Sequence, residues 1–127
     1  MPAVGFGEIL GIALFGALGV LSRFGASLAV AKYWAPTLPV GTFLINIVGS
    51  FLIGLVLAID LKGGLITFDL RTMLTVGFLG GFTTFSSFSF ETYQLFAAGR
   101  IGWALAYGLG SPVLGMTVAG LGYCLGR

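Results

Sequence analysis

The sequence contains no histidine and a single cysteine, Cys124. The missing histidine removes the commonest general base and metal ligand, together with the Ser-His and Cys-His nucleophile systems. A lone cysteine excludes an intrachain disulfide and a cysteine cluster for zinc. No other catalytic constellation stands out in the sequence, so we expect that the protein is not an enzyme.

Charge is also scarce. Only 8% of the 127 residues are charged, whereas a soluble domain has about a quarter. The six basic residues are scattered singly, so no basic patch for nucleic acid exists. Because 57% of the residues are hydrophobic, the chain cannot cover a globule with polar surface, and its solvent must be largely lipid. The 22 glycines suit that setting, since small residues let membrane helices pack closely.

Four apolar stretches follow one another along the chain, separated by short polar breaks. Each is about as long as the 20 residues that span the hydrocarbon core as a helix. The sequence therefore predicts an all-α integral membrane protein with four transmembrane helices. The breaks are too short to fold alone, so we expect residues 1–127 to form a single domain. The predicted spans are Ile9–Ala31, Val40–Ile59, Met73–Phe96 and Ile101–Leu125.

The basic residues give almost no orientation signal. With four spans, both termini and the second loop lie on one side of the membrane. That side carries Lys62, Arg71 and Arg127, and the other carries Lys32, Arg100 and Arg23 near the end of the first span. A Lys/Arg bias between the two sides normally sets topology. Three basic residues on each side give no such bias. Two interpretations stay open: orientation by another feature, such as one dominant helix, or dual topology with copies inserted both ways.

The third span has an unusual centre. Gly80-Gly81 precede a dense run of hydroxyls and rings that includes Thr83 and Thr84. Gly-Gly is a poor helix interior, and threonine hydroxyls can bond the backbone groups that a break sets free. Broken helices at membrane depth lie inside protein or beside a water-filled path, and their free carbonyls coordinate small cations. We predict a break at Gly80-Gly81; the alternative is a continuous helix whose glycines allow close packing.

Two other spans carry polar side chains. Asn46 lies in the middle of the second span, with Thr42 one turn before it. Its amide could donate to an anion, or it could form an interhelical hydrogen bond. Tyr107 and Ser111 lie one turn apart in the fourth span, and Pro112 follows them. A proline inside a helix removes one backbone hydrogen bond, so we expect a kink there.

Phe85 and Phe88 are three residues apart and so share a helix face. Aromatic rings have positive edges, which could touch an anion without trapping it. From the spacing alone, ordinary packing against lipid or core is the better-supported interpretation. The same span holds Glu91, toward its end, and no acidic residue lies deep in the other three spans. A proton-coupled exporter needs a buried titratable group, whereas a passive path needs none.

Several of these segments together resemble one family, the CrcB/Fluc fluoride ion channels. The most specific likeness is the third-span run GGFTTFSSFS at residues 80–89, supported by NIVGSF at residues 46–51. The GVLSR run at residues 19–23 and the Tyr107-x-x-x-Ser111 spacing also fit. The likeness covers essentially the whole chain. The sequence departs from the family pattern at Ser87, where threonine is usual, and at Pro112.

The resemblance implies passive, selective fluoride export across a bacterial or archaeal plasma membrane. It also implies an antiparallel, dual-topology homodimer with two pores, in which backbone carbonyls of Gly80 and Thr83 from both subunits hold a central structural Na⁺. Arg23 resembles a family arginine near the pore entrance, and a snorkelling membrane anchor is an equally supported alternative. The pore-lining residues would be Asn46, Phe85, Phe88, Thr42, Tyr107 and Ser111.

Two rival functions fit the sequence less well. A small dual-topology multidrug exporter also has four spans, but it needs a carboxylate deep in the first helix, and Ile9–Ala31 has none. A non-transporting membrane scaffold would not explain a mid-span asparagine together with a hydroxyl-rich third span.

Overall fold

The computed structural model of the protein describes residues 3–34 and 36–127. Within these residues, four helical spans are long and apolar enough to cross a membrane, and no strand is present. The predicted all-helical, four-span architecture is confirmed. Residues 1 and 2 of the predicted domain, and residue 35 of the predicted first loop, lie outside the described residues. The observed spans are Phe6–Tyr33, Val40–Leu61, Phe68–Ala97 and Ile101–Gly126.

Three of the spans are single helices, and the third is composite. Helices α1 (Phe6–Tyr33), α2 (Val40–Leu61) and α6 (Ile101–Gly126) are continuous, and α6 runs through Pro112 without interruption. The third span consists of α3, a π-helical segment, α4 and α5, which occupy Phe68–Thr72, Met73–Leu79, Gly80–Phe82 and Phe85–Ala97. A π-helical stretch of this kind is rare and is often found at functional sites.

The helices pack mainly as two pairs, α2 against α6 and α1 against the first half of the third span. Glycines set the closeness of the first pair. A Cβ on Gly54 would overlap the Ala119 carbonyl, and one on Gly122 would overlap the Phe51 carbonyl. In lipid, such close backbone approach supplies the van der Waals contact that holds helices together.

The third span is broken, but the predicted location of the break is wrong. Gly80 is helical, with φ −62° and ψ −38°, whereas Thr83 (φ −83°, ψ 157°) and Thr84 (φ −148°, ψ 115°) are extended. Gly81 serves packing instead: a Cβ there would lie 2.5 Å from the Gly16 carbonyl oxygen of α1. β-Branched threonines suit extended backbone. The first half-helix therefore ends at Phe82, after the glycine pair.

Thr84 begins the second half-helix. Its hydroxyl accepts a hydrogen bond from the Ser87 N–H at 3.3 Å, which is an N-cap interaction for α5. An N-cap threonine satisfies one of the backbone donors that a helix start leaves free. The break is thus an ordered junction between a helix end and a capped helix start.

Candidate functional site at the helix break

Asn46 of α2 binds the break through both ends of its amide. The Thr84 N–H donates to Asn46 Oδ1 at 2.8 Å, and Asn46 Nδ2 donates to the Thr84 carbonyl at 3.0 Å. One side chain therefore satisfies both backbone groups of an extended residue in the middle of a span. An unsatisfied backbone group in hydrocarbon would cost several kcal/mol, so this pair of bonds explains how the break is tolerated.

This arrangement frees two backbone carbonyls from their usual helical partners. In a continuous helix the Gly80 carbonyl would accept from the N–H of Thr84, but that N–H binds Asn46. The Thr83 carbonyl would likewise accept from the N–H of Ser87, which binds the Thr84 hydroxyl instead. Gly80 and Thr83 both line a groove on one face of the molecule. The two groove-lining residues therefore have carbonyl oxygens that lack their α-helical partners, and oxygen is the ligand that hard cations prefer.

The position of Thr83 depends on a glycine in α2. A Cβ on Gly49 would overlap the Thr83 Cγ2 methyl, and Gly49 is buried. The methyl thus occupies the space that a side chain at position 49 would need. The Thr83 hydroxyl, for its part, donates to the Leu79 carbonyl at 2.9 Å and helps to end α4.

We call the cavity beside the break the break groove. It has a volume of about 500 Å³ and is open on one side in a single copy of the chain. Phe85, at its edge, is 79% exposed. The part of the lining that concerns the break and its neighbours is Asn46, Gly80, Thr83, Thr84, Phe85, Phe88 and Ser111.

A row of aromatic rings leads away from the break. The Phe85 and Phe88 ring centroids are 5.9 Å apart at 44°, and those of Phe88 and Tyr107 are 5.0 Å apart at 58°. Tilted pairs at these distances place ring edges toward ring faces, which is the favourable geometry for aromatic contacts. Phe88 is partly buried against Leu95, Ala104 and Tyr107, whereas Phe85 lies at the open edge.

The row ends at Glu91, which accepts two hydrogen bonds. The Thr42 hydroxyl donates to Oε1 at 2.6 Å and the Tyr107 hydroxyl donates to Oε2 at 2.9 Å. Sequence reasoning gave Glu91 no role, although a carboxylate in an apolar span was the available signal. Through these two hydrogen bonds the Glu91 carboxylate of α5 links Thr42 of α2 to Tyr107 of α6.

Ser111 lies between the break groove and a second, apolar cavity of about 280 Å³. It is 7% exposed and lines both cavities. Tyr107 lines the second cavity with Pro39, Phe43 and Trp103. Of the predicted residues, Asn46, Phe85 and Phe88 line the break groove, Tyr107 lines the second cavity, and Ser111 lines both. Thr42 instead donates to Glu91.

The sequence is similar to those of known proteins. The family model described as "CrcB-like protein, Camphor Resistance (CrcB)" matches residues 10–123. The chain belongs to the CrcB-like family. Similar relatives named "Fluoride-specific ion channel FluC" are found in Thermus thermophilus, at 49% identity over 91% of each chain, and in Geobacter metallireducens, at 43% identity over 94% of this chain and 96% of the relative. Another, from Geotalea uraniireducens, is 50% identical over 73% of this chain and 75% of its own.

Within this CrcB-like chain, Arg23 lies at the break and not at a helix end. Its Nε donates to the Gly81 carbonyl at 3.0 Å, and Gly81 lies near the middle of the span Phe68–Ala97. This contact is not that of a snorkelling anchor, whose charged head would reach toward the membrane surface. It also removes Arg23 from the loop charges, which leaves Lys62, Arg71 and Arg127 against Lys32 and Arg100.

The break groove of the CrcB-like chain is lined by neutral residues. In the described part of the chain, no group of three or more His, Cys, Asp and Glu side chains could hold a metal ion. The free carbonyls of Gly80 and Thr83 fit Na⁺, which takes oxygen ligands, but one copy offers only two of them. A cage of four would need the same segment of a second copy.

Proposed function

We propose that this chain is a passive, fluoride-selective channel of the bacterial plasma membrane. The observation that supports the proposal is the arrangement of Asn46, Phe85 and Phe88 along the break groove, with Ser111 between that groove and the second cavity and the Phe88 ring against Tyr107. Fluoride is small and strongly hydrated, so a channel must replace its lost water while binding it weakly enough for exit. The relatives' name, fluoride-specific ion channel, supports the choice of ion.

The donors of the proposed pore differ in how far they are already engaged. One N–H of the Asn46 amide binds Thr84, and its second N–H remains for an anion in the break groove. The hydroxyls of Thr42 and Tyr107 point to Glu91. Each hydroxyl has one proton, so a fluoride ion reaching them would compete with the carboxylate for these donors. Repulsion between the two anions would keep the site from becoming a trap.

The functional unit in this proposal is an antiparallel homodimer with two pores. The break groove is open on one side in a single copy, and Phe85 and Gly80 are exposed along it. A second copy related by a two-fold axis would cover this face and would bring the break against itself. The loop charges, three against two, give little orientation bias, which suits insertion in both directions.

A central Na⁺ completes the proposal. Gly80 and Thr83 carbonyls from two copies would hold it. Asn46 takes the N–H that would pair with the Gly80 carbonyl, and the Thr84 hydroxyl takes the N–H that would pair with the Thr83 carbonyl. When bound, the ion would supply a fixed positive charge between the two pores, which raises the local potential for anions.

The transport experiment uses purified protein in liposomes loaded with potassium fluoride or potassium chloride. Adding a potassium ionophore should release fluoride rapidly and chloride hardly at all, as read by ion-selective electrodes. Empty liposomes and liposomes with an unrelated four-span protein are the controls. Equal fluoride and chloride release would reject the selectivity, and no release of either ion would reject the channel.

Glu91 favours one alternative function. A carboxylate that accepts hydroxyl bonds within a span could carry a proton, so a fluoride–proton exchanger is the second candidate. A protonophore separates the two. Fluoride release that follows only the electrical gradient supports the channel, and release that requires a counter-moving proton supports the exchanger.

The topology experiment tests the dimer. A C-terminal tag should be accessible from both sides of the native membrane. Adding several lysines next to Arg127 should bias insertion and lower flux, and co-expression of an oppositely biased copy should restore it. A single tag orientation in functional protein would reject the antiparallel assembly.

A further inference from the structure

Arg23 makes a contact that a pore-entrance residue does not require. Its Nε donates to the Gly81 carbonyl at 3.0 Å, across a separation of 58 residues in the sequence. Gly81 belongs to the last turn of the first half-helix, two residues before Thr83. The guanidinium therefore binds the carbonyl end of that half-helix at the level of the break.

The fold brings Arg23 to this place through one face of α1. A Cβ on Gly19 would overlap the Phe78 carbonyl, and a Cβ on Gly81 would lie 3.2 Å from Val20. Arg23 follows Gly19 by one helical turn and so lies on the same face. Close packing of α1 on the half-helix thus delivers the arginine to the end of that half-helix.

The chemistry of a helix end explains why an arginine is useful there. The last carbonyls of a helix have no intrahelical donors and carry partial negative charge. The N–H that would pair with the Gly81 carbonyl belongs to Phe85, which starts the second half-helix beyond the break. In a membrane no water replaces that donor, and Arg23 Nε does.

We propose that Arg23 is a positioning residue that closes the carbonyl end of the first half-helix and thereby holds the extended geometry of Thr83 and Thr84. It acts through Gly81 and does not contact the permeating ion. Asn46 of α2 holds the break at Thr84, so side chains from two different helices fix its two ends. The effect on transport rests on the proposed channel function, and the effect on the break itself does not.

Three substitutions separate the hydrogen bond from the charge. Arg23→Gln places an N–H donor at the same bond distance from the backbone as arginine Nε, but it removes the charge. Arg23→Lys keeps the charge and places a methylene where Nε was. Arg23→Met removes both. Phe24→Leu, on the 62%-exposed neighbouring position of α1, is the matched control.

The first measurement is amide hydrogen exchange of the variants in lipid nanodiscs, which needs no transport. The informative amides are those of Thr83, Thr84 and Ser87, each of which has a hydrogen-bond acceptor at the break. Arg23→Met should exchange there roughly threefold to tenfold faster than the parent chain. Arg23→Gln should stay close to the parent, and Arg23→Lys should resemble Arg23→Met.

The second measurement is fluoride flux per folded protein, in which Arg23→Gln should keep more flux than Arg23→Lys. If the parent chain carries no fluoride, the channel proposal fails while the exchange measurement still tests the role of Arg23. If the amides at the break exchanged slowly in Arg23→Lys and fast in Arg23→Gln, the charge and not the hydrogen bond would hold the break, and the proposal would be overturned. Unchanged exchange in Arg23→Met would also overturn it. Should Arg23→Met not fold, the Gln and Lys pair still decides.

Discussion

Asn46 and Thr84 are joined by two hydrogen bonds of opposite sense. The backbone N–H of Thr84 donates to the amide oxygen, and the amide nitrogen donates to the carbonyl of Thr84. The side chain thus pairs with the break much as a neighbouring strand would pair with an extended residue. Its removal should affect the backbone of the third span and not only the groove surface.

Asn46→Asp is the sharpest test of this pairing. Aspartate keeps an acceptor for the Thr84 N–H but loses the donor and places a carboxylate oxygen beside the Thr84 carbonyl. We expect the free energy of unfolding to fall by about 1–3 kcal/mol and fluoride flux to fall sharply. Unfolding in detergent and flux per folded protein measure the two effects. Val48→Ala, at a half-exposed position of α2, is the control, and parent-like stability in Asn46→Asp would contradict the pairing.

The two glycines of the third span should respond differently to alanine. Gly81→Ala puts a methyl 2.5 Å from the Gly16 carbonyl oxygen, so we expect a loss of about 1–3 kcal/mol in unfolding free energy. Gly80→Ala has ordinary contact, 3.6 Å from the Thr75 carbonyl oxygen, and should leave a single copy as stable as before. If a second copy meets Gly80, this variant should lose dimer and flux. Size-exclusion chromatography in detergent reports the dimer, and an intact dimer with normal flux would place the interface elsewhere.

Phe85 and Phe88, the proposed pore rings, should differ in how much their replacement lowers the free energy of unfolding. Isoleucine at either position keeps much of the bulk but removes the quadrupole, so flux should fall sharply in Phe85→Ile and in Phe88→Ile. Only Phe88→Ile should also lower the unfolding free energy, by about 1–2 kcal/mol, because Phe88 contacts Tyr107 whereas Phe85 is 79% exposed. Methionine should be better tolerated than isoleucine at both positions. Normal flux in both isoleucine variants would remove these rings from the path.

Glu91→Gln tests the carboxylate. The Thr42 and Tyr107 hydroxyls donate to different oxygens of the carboxylate, and glutamine replaces one of these oxygens by an NH₂ donor, so the hydroxyl that faces it loses its acceptor. We expect a stability loss of about 1 kcal/mol and fluoride transport that still follows the electrical gradient alone. Flux at zero membrane potential with an imposed pH gradient is the measurement. A proton-driven flux that the substitution abolishes would favour the exchanger.

The four spans could be predicted from sequence because hydropathy over about 20 residues is a strong signal. The existence of a break was also predictable, since hydroxyls and glycines coincide in the third span. Its position was not. Gly80-Gly81 look like helix breakers in isolation, but the packing of α1 against Gly81 keeps them helical. The residue that sets the break is Thr84, whose N-cap role and bonds to Asn46 depend on a helix 38 residues away in sequence.

Long-range side-chain pairing explains the remaining differences. The sequence places Arg23 near the end of the first predicted span. It does not show the axial register in which α1 packs against the third span, and that register brings Arg23 to the break. Glu91 received no role, since its partners Thr42 and Tyr107 come from two other helices. In each case the residue type was visible in the sequence, and the partner was set by helix packing.

The contact between Gly49 and the Thr83 methyl has a consequence for how this sequence can drift. Alanine at position 49 would collide with that methyl, whereas serine at position 83 would vacate the space and keep the hydroxyl that ends α4. The order of mutations then matters. After Thr83→Ser, Gly49→Ala meets no methyl. In the reverse order the chain first carries alanine at position 49 together with Thr83, and the two side chains collide. Positions 49 and 83, on different helices, are therefore expected to change together, and the change at position 83 is expected to come first.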